Sequence, residues 1–176
     1  MRGTHLLDAV LDILAERGID ALSVRTVAAA ANVSPSQVQY YYRTKSELVR
    51  AGFDYAGEQF VADIRTAKPS TLRELVEQWL PLDERRERRA RVWLAYAAAS
   101  AADPVLQQES ATLDQDLRQW FTDTGLSEQQ AAQLFALIDG VTVQCLVLPR
   151  PQRRTLVDRT VLPFLATLPE VSMTGR

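Results

Sequence analysis

One cysteine, Cys145, and one histidine, His5, are all that 176 residues offer of either type. A single thiol excludes an intrachain disulfide framework. A single imidazole leaves no His-rich metal site and no His-based triad to build. The spacings G-x-S-x-G, H-E-x-x-H and C-x-x-C are missing, and the two glycines at P-loop spacing, Gly52 and Gly57, are followed by Glu58 and Gln59 instead of Lys-Ser. An enzyme is therefore not expected, and no catalytic residue, metal ligand or cofactor is assigned. Long apolar runs are also lacking. The uncharged stretch 26–42 carries Thr, Asn, Ser and Gln, too polar to span a bilayer, and Asp8, Asp12 and Glu16 interrupt any signal-peptide core. The expectation is a cytoplasmic protein with no membrane partner. Cys145 reads as a small buried hydrophobe in a helix.

Neither sign of charge dominates overall, since 20 basic residues meet 22 acidic ones for a net charge of −2 and a pI near 5.5. The balance is uneven along the chain. From Ser23 to Arg50, Arg25, Arg43, Lys45 and Arg50 face only Glu47, so this segment is positive while the remainder is acidic. Lysine occurs only at 45 and 68, which carries no functional argument because arginine enrichment follows genome composition as readily as any need for bidentate contacts.

What is present is helical periodicity. Glycines and prolines sit mostly between stretches with i, i+3, i+4 apolar spacing, and no alternating run suggests a strand, so the fold class is all-α. Leu6, Leu7, Val10, Leu11 and Leu14 form the apolar side of a first helix that Arg17 and Gly18 close. Ser23 caps a short second helix that ends at Asn32, a residue able to turn left-handed. Ser34-Pro35-Ser36-Gln37 and Thr44-Lys45-Ser46-Glu47 are two capping boxes ten residues apart, so the helix between them is only about seven residues long. Lys68-Pro69-Ser70, Pro81, Asp103-Pro104, Gly125 with Ser127, and Pro149 then divide the rest into five further helices after the fourth. Pro163 is expected to kink or shorten the last one. The arginines from Arg85 to Arg91 read as a solvated helix face with i, i+4 partners Glu84 and Glu87. The helix after Ser127 is apolar on nearly every side, more than its own core needs, which points to a four-helix interface between two copies.

The second and third helices have the proportions of a helix-turn-helix. Val38 and Tyr42 share the inner side, while Ser36 and Tyr40, flanked by Gln37 and Gln39, face out. Glutamine can pair adenine bidentately, hydroxyls bond base edges or phosphates, and a tyrosine offers its hydroxyl or ring. Lys45, at the start of the fourth helix, makes a phosphate site with the free backbone N–H groups there, and Arg25 reaches a phosphate or a guanine.

Ala15-Glu16-Arg17-Gly18, Ser23-Val24-Arg25-Thr26-Val27-Ala28, Asn32-Val33-Ser34, Tyr40-Tyr41-Tyr42 and Thr44-Lys45-Ser46-Glu47-Leu48 resemble the TetR family of one-component repressors. The resemblance implies an N-terminal three-helix head at residues 1–50 and a larger ligand-binding and dimerisation domain at 51–176. It also implies a homodimer on a palindromic DNA operator, released by a small-molecule effector. The DNA contacts it implies are Arg25, Thr26, Pro35, Ser36, Gln37, Gln39, Tyr40, Tyr41 and Lys45. Asn32 stands where the family usually has glycine, and the segment before Leu6 lacks a basic arm. Leu80 to Arg86, Arg91 to Ala95 and Leu137 to Gly140 resemble the choline/betaine-regulator branch. Phe60, Trp79, Trp93, Tyr96, Trp120 and Phe121 either line an effector pocket or fill the core, and their character leans toward a lipophilic or aromatic effector. The competing reading is a helical ligand-binding or scaffold dimer that binds no DNA, which the acidic pI favours.

Overall fold

The structure, a computed structural model, describes residues 3–171, which form nine α-helices and one 3-10 turn and no strand. The outer limits expected for the two domains, at residues 1 and 176, lie outside the described residues, as do the first two residues of the segment before Leu6. Helices α1 (Thr4–Arg17), α2 (Val24–Ala30) and α3 (Pro35–Tyr41) precede the long α4 (Lys45–Ala67). Then come α5 (Leu72–Trp79), α6 (Glu84–Ser100), α7 (Pro104–Asp123), α8 (Glu128–Val147) and α9 (Arg150–Leu165). The 3-10 turn, Ile19–Ala21, follows Gly18 and has no counterpart in the periodicity.

The expected breaks fall at capped ends. The side chains of Ser23, Ser34, Thr44, Thr71, Asp83, Asp103 and Ser127 each accept a backbone N–H of the helix they open, worth about 1 kcal/mol apiece. Lys68 ends α4 in the left-handed region at φ 46°. Pro163 lies inside α9, which ends two residues later at Leu165.

Two apolar clusters organise the chain. The first joins α1, α2, α3 and the start of α4 through Leu6, Val10, Leu14, Val27, Val38 and Leu48, all essentially inaccessible to water. The second joins α5, α7, α8 and α9 through Leu75, Phe121, Leu134, Ile138, Val157 and Val161. Helices α4 and α6 run past both, with Val92 of α6 buried in the first cluster and Ile64 of α4 packed against the second. Gly52 sets how closely α4 approaches α1, because a Cβ there would lie 2.7 Å from Val10 Cγ1 and 3.3 Å from Leu14 Cδ1.

The arginine face of α6 is solvated only in part, with Arg85 and Arg91 exposed as expected. Arg86 and Arg89 retain only 20% and 16% side-chain exposure. Arg88 reaches α1, donating to Asp12 Oδ1 at 2.7 Å and to the Asp8 carbonyl at 2.9 Å instead of pairing with Glu84. Glu87 does pair with Arg91 at 2.9 Å, but it also accepts from Arg150 at 2.7 Å and Arg153 at 2.8 Å on α9. Arg153 is buried and donates further to the Pro81 and Leu148 carbonyls, so the charge is matched on every side. These partners are distant in sequence, which is why i, i+4 counting did not find them.

Helix α8 corrects a second expectation. By length and composition it is apolar enough to cross a membrane, although Glu128 and Asp139 break its uncharged runs. Its buried residues Ala131, Leu134, Phe135, Ile138, Val141 and Cys145 instead belong to the second apolar cluster, the packing of a core helix.

Candidate DNA-recognition surface and effector region

The turn between α2 and α3 is built for rigidity. Asn32 adopts φ 52°, Val33 donates to the Ala28 carbonyl at 2.9 Å and Asn32 to the Ala29 carbonyl at 3.3 Å. Those two bonds make the paired closure that usually needs glycine, so asparagine at this position preserves the turn. Ser34 Oγ accepts from Gln37 N at 3.2 Å and contacts Ser36 Oγ at 3.0 Å. The Gln37 amide does not return to the cap, so the expected box is half formed and that side chain stays outward.

Helix α3 buries Val38 completely and half-buries Tyr42, whose phenol is pushed up in pKa first by burial and then by Tyr41. Pro35, Ser36, Gln37, Gln39, Tyr40 and Tyr41 are exposed. Tyr40 is 80% exposed and stacks edge-on against Tyr41, with centroids 5.1 Å apart, which stiffens both rings. Neither glutamine amide has a hydrogen-bond partner among the described residues. Seven residues at 1.5 Å rise give a probe roughly 10 Å long, within the reach of a major groove about 12 Å wide.

The flanking cations divide by availability. Arg25 is exposed and carries no ion pair among the described residues. Lys45 is exposed in the first turn of α4, its Nζ 3.5 Å from the Asp20 carbonyl, and no carboxylate among the described residues pairs with it. Thr44 caps that helix by accepting from Glu47 N at 3.1 Å, while Glu47 Oε2 accepts from Arg43 N at 2.7 Å. Arg43, not singled out from the sequence, is exposed with its guanidinium unpaired beside Lys45; its signal was adjacency to the tyrosine run. Arg50 is committed to Glu109 on α7. Thr26 differs from its neighbours, because its hydroxyl accepts from Ser23 N at 2.9 Å and donates to the Ala21 carbonyl at 2.8 Å. It builds the α2 cap, so its hydroxyl is already engaged.

The six candidate aromatics separate into two groups. Trp79 lies 4.6 Å from Phe60 and 5.6 Å from both Trp120 and Phe121, so these four rings form one cluster among α4, α5 and α7. Arg89 covers Phe60 at 4.7 Å from the ring centroid. Tyr96 instead packs on Phe53 at 4.0 Å beside the first apolar cluster, and Trp93 joins neither group. A cleft of about 140 Å³ opens between α1, α4 and α6, and a shallower groove between α6 and α7 is lined by small and polar residues. Neither is walled by an aromatic ring.

A sharply capped, outward-facing third helix beside unpaired cations, carried on a larger helical body, defines a helix-turn-helix DNA-binding protein. Residues 6–51 match the tetR family of bacterial regulatory proteins, and residues 69–169 match the BetI-type transcriptional repressor C-terminal domain. The chain belongs to the TetR family, with a C-terminal domain of the BetI type. It is 28% identical to the HTH-type transcriptional regulator BetI of Escherichia coli O17:K52:H18, over 94% of this chain and 92% of that one. It is similar to the crystal structure of a transcriptional regulator from Rhodococcus sp. Rha1, with TM-score 0.79 and 27% identity over 96% and 98% of the two chains. It also resembles the multidrug binding protein EbrR complexed with imidazole, with TM-score 0.65 and 25% identity over 91% and 94%. The protein is a ligand-responsive DNA-binding transcriptional regulator.

Proposed function

We propose that this regulator is a non-enzymatic, cytoplasmic homodimer that represses by docking two α3 helices in successive major grooves of a palindromic operator. The head would comprise residues 1–50 and the effector and dimerisation domain residues 51–176. The observation that carries the reading is the outer face of α3, where Gln37 and Gln39 present free amides between two caps. Base readout falls to Ser36, Gln37, Gln39 and Tyr40, and phosphate anchoring to Arg25, Lys45, Tyr41 and the backbone around Thr26 and Pro35. Dimerisation is supported by α8, where Ala136, Gly140, Val143 and Val147 leave a stripe of small and apolar exposed residues at helical spacing.

The effector is lipophilic or aromatic and enters at the ring cluster of Phe60, Trp79, Trp120 and Phe121, in support of which the neighbour EbrR is complexed with an aromatic molecule, imidazole. Trp93 and Tyr96, placed elsewhere, would sense it indirectly. Selection of duplexes from a random pool tests the DNA reading, followed by salt-dependent binding of Gln37→Ala and Lys45→Ala. Gln37→Ala relaxes preference at one base pair by roughly 1–3 kcal/mol, and Lys45→Ala weakens all sequences and lowers the salt slope by about 1. An unenriched pool would favour a helical scaffold dimer, and unchanged binding by both variants would remove the contact assignment.

A further inference from the structure

The cleft between α1, α4 and α6 is electrically two-ended. At one end a single carboxylate, Asp63, serves two guanidinium groups. Arg85 donates to it through Nε at 3.0 Å and Nη2 at 2.6 Å, and Arg89 through Nη1 at 2.7 Å. Two cations on one anion leave a positive surplus, and Arg85 keeps Nη1 unbonded among the described residues. At the other end the Asp8 carboxylate has no ion pair among the described residues. The nearby Arg88 is satisfied by Asp12 and by the Asp8 carbonyl, not its carboxylate. The Asp8 carboxylate receives only the Tyr55 hydroxyl at 3.3 Å and the Gln59 amide at 3.4 Å, both neutral and long, and both on its Oδ1. Its Oδ2 has no partner among the described residues.

Between these poles Leu11, Ala56 and Val92 supply an apolar floor, and the volume of about 140 Å³ would hold on the order of ten water molecules. A partly enclosed space with opposite surplus charges at its ends fits a molecule that carries both charges itself. We propose that this cleft binds a small zwitterion of the amino-acid type, its ammonium at Asp8 and its carboxylate at Arg85. Arg89 spends its two terminal nitrogens on Asp63 and the Gln78 carbonyl, so a planar carboxylate meets the Arg85 end edge, where Nη1 and the second N–H of Nη2 donate in parallel. The bound molecule would span α1, which carries the head, and α6, which belongs to the body. Arg89 also stacks on Phe60, so the same side chain links this site to the aromatic cluster. The consequence for operator affinity rests on the regulator reading given above; the binding itself does not.

The test is calorimetric titration of the full chain with glycine and with L-serine, alongside acetate and methylammonium as half-ligands. Operator binding is followed in parallel with and without each amino acid. One amino acid is expected to bind per chain, with both half-ligands ~10-fold weaker or worse, and to change operator affinity roughly 5-fold or more. Asp8→Asn and Arg85→Gln, both outside the DNA surface, should each weaken the amino acid ~10-fold while binding operator like the parent, which also shows that they fold. No heat from either amino acid in the millimolar range, acetate binding as well as glycine, or variants that bind like the parent would each overturn the proposal. If the parent binds operator and the cleft takes no amino acid, this inference alone fails. If the parent ignores DNA, the regulator reading fails and the calorimetry still decides the cleft.

Discussion

At the scale of single residues, the side chains whose environments depart most from water are carboxylates. Burial, with Asp114 adding to it and Arg118 opposing it, pushes the Asp139 carboxyl up to about 6. A carboxyl raised above its unfolded value holds its proton more tightly when folded, so its contribution to stability is intact below about 4 and drains away as pH climbs through 6. Asp139→Asn is therefore expected to stabilise the fold on the order of 1–2 kcal/mol at pH 8, after discounting for partial solvent screening, and to change nothing near pH 4. Denaturant melts at both pH values check this. Some residue roles were visible in the sequence and others were not. Asn32 was foreseeable because a left-handed turn has few candidate residues. Gly52 was noticed only as half of an empty P-loop spacing, whereas its role is to let α1 and α4 touch, and no local pattern encodes a contact with Val10.

Among the elements, helix ends were legible and helix faces were only partly so. A cap is a signal four residues long, which is why Ser23, Ser34, Thr44, Asp83, Asp103 and Ser127 were found where they act. The α6 arginines are joined to Asp8, Asp12 and Asp63 across separations of 22 to 80 residues, and periodicity carries no information at that range. For the same reason, Tyr96 and Trp93 could not be told from Trp79 and Trp120. The tie between α6 and α9 makes the clearest test at this scale. Glu87 is held down to about 2, first by the Arg153 hydrogen bond and then, against burial, by Arg150 and Arg91. Because its folded pKa is depressed, its stabilisation is complete above the unfolded value and lost as pH falls from about 4.5 toward 2. Glu87→Ala strands the buried Arg153 charge and should cost about 3–5 kcal/mol in chemical denaturation at pH 7, most of it vanishing in the parent-to-variant difference below pH 3.

For the whole molecule, the proposed function depends on geometry between two copies. Recognition helices must sit about 34 Å apart to enter successive grooves on one face of DNA. Val143→Arg, placing a charge on the exposed stripe of α8, should leave the helical content intact, shift sedimentation to that of one chain, and weaken operator binding at least ~10-fold. Persistence of a dimer would move the interface elsewhere. The proposed head–body division rests on two apolar clusters that meet along α4 and α6, through buried Val92, through ion pairs such as Arg88 with Asp12, and around the cleft. Cys145 meanwhile has no exposed surface, and burial raises its thiol pKa. A maleimide can reach that sulfur only while the packing around α8 is momentarily parted, so the sulfur serves as a clock whose ticks count openings of the body and ignore every motion of the head.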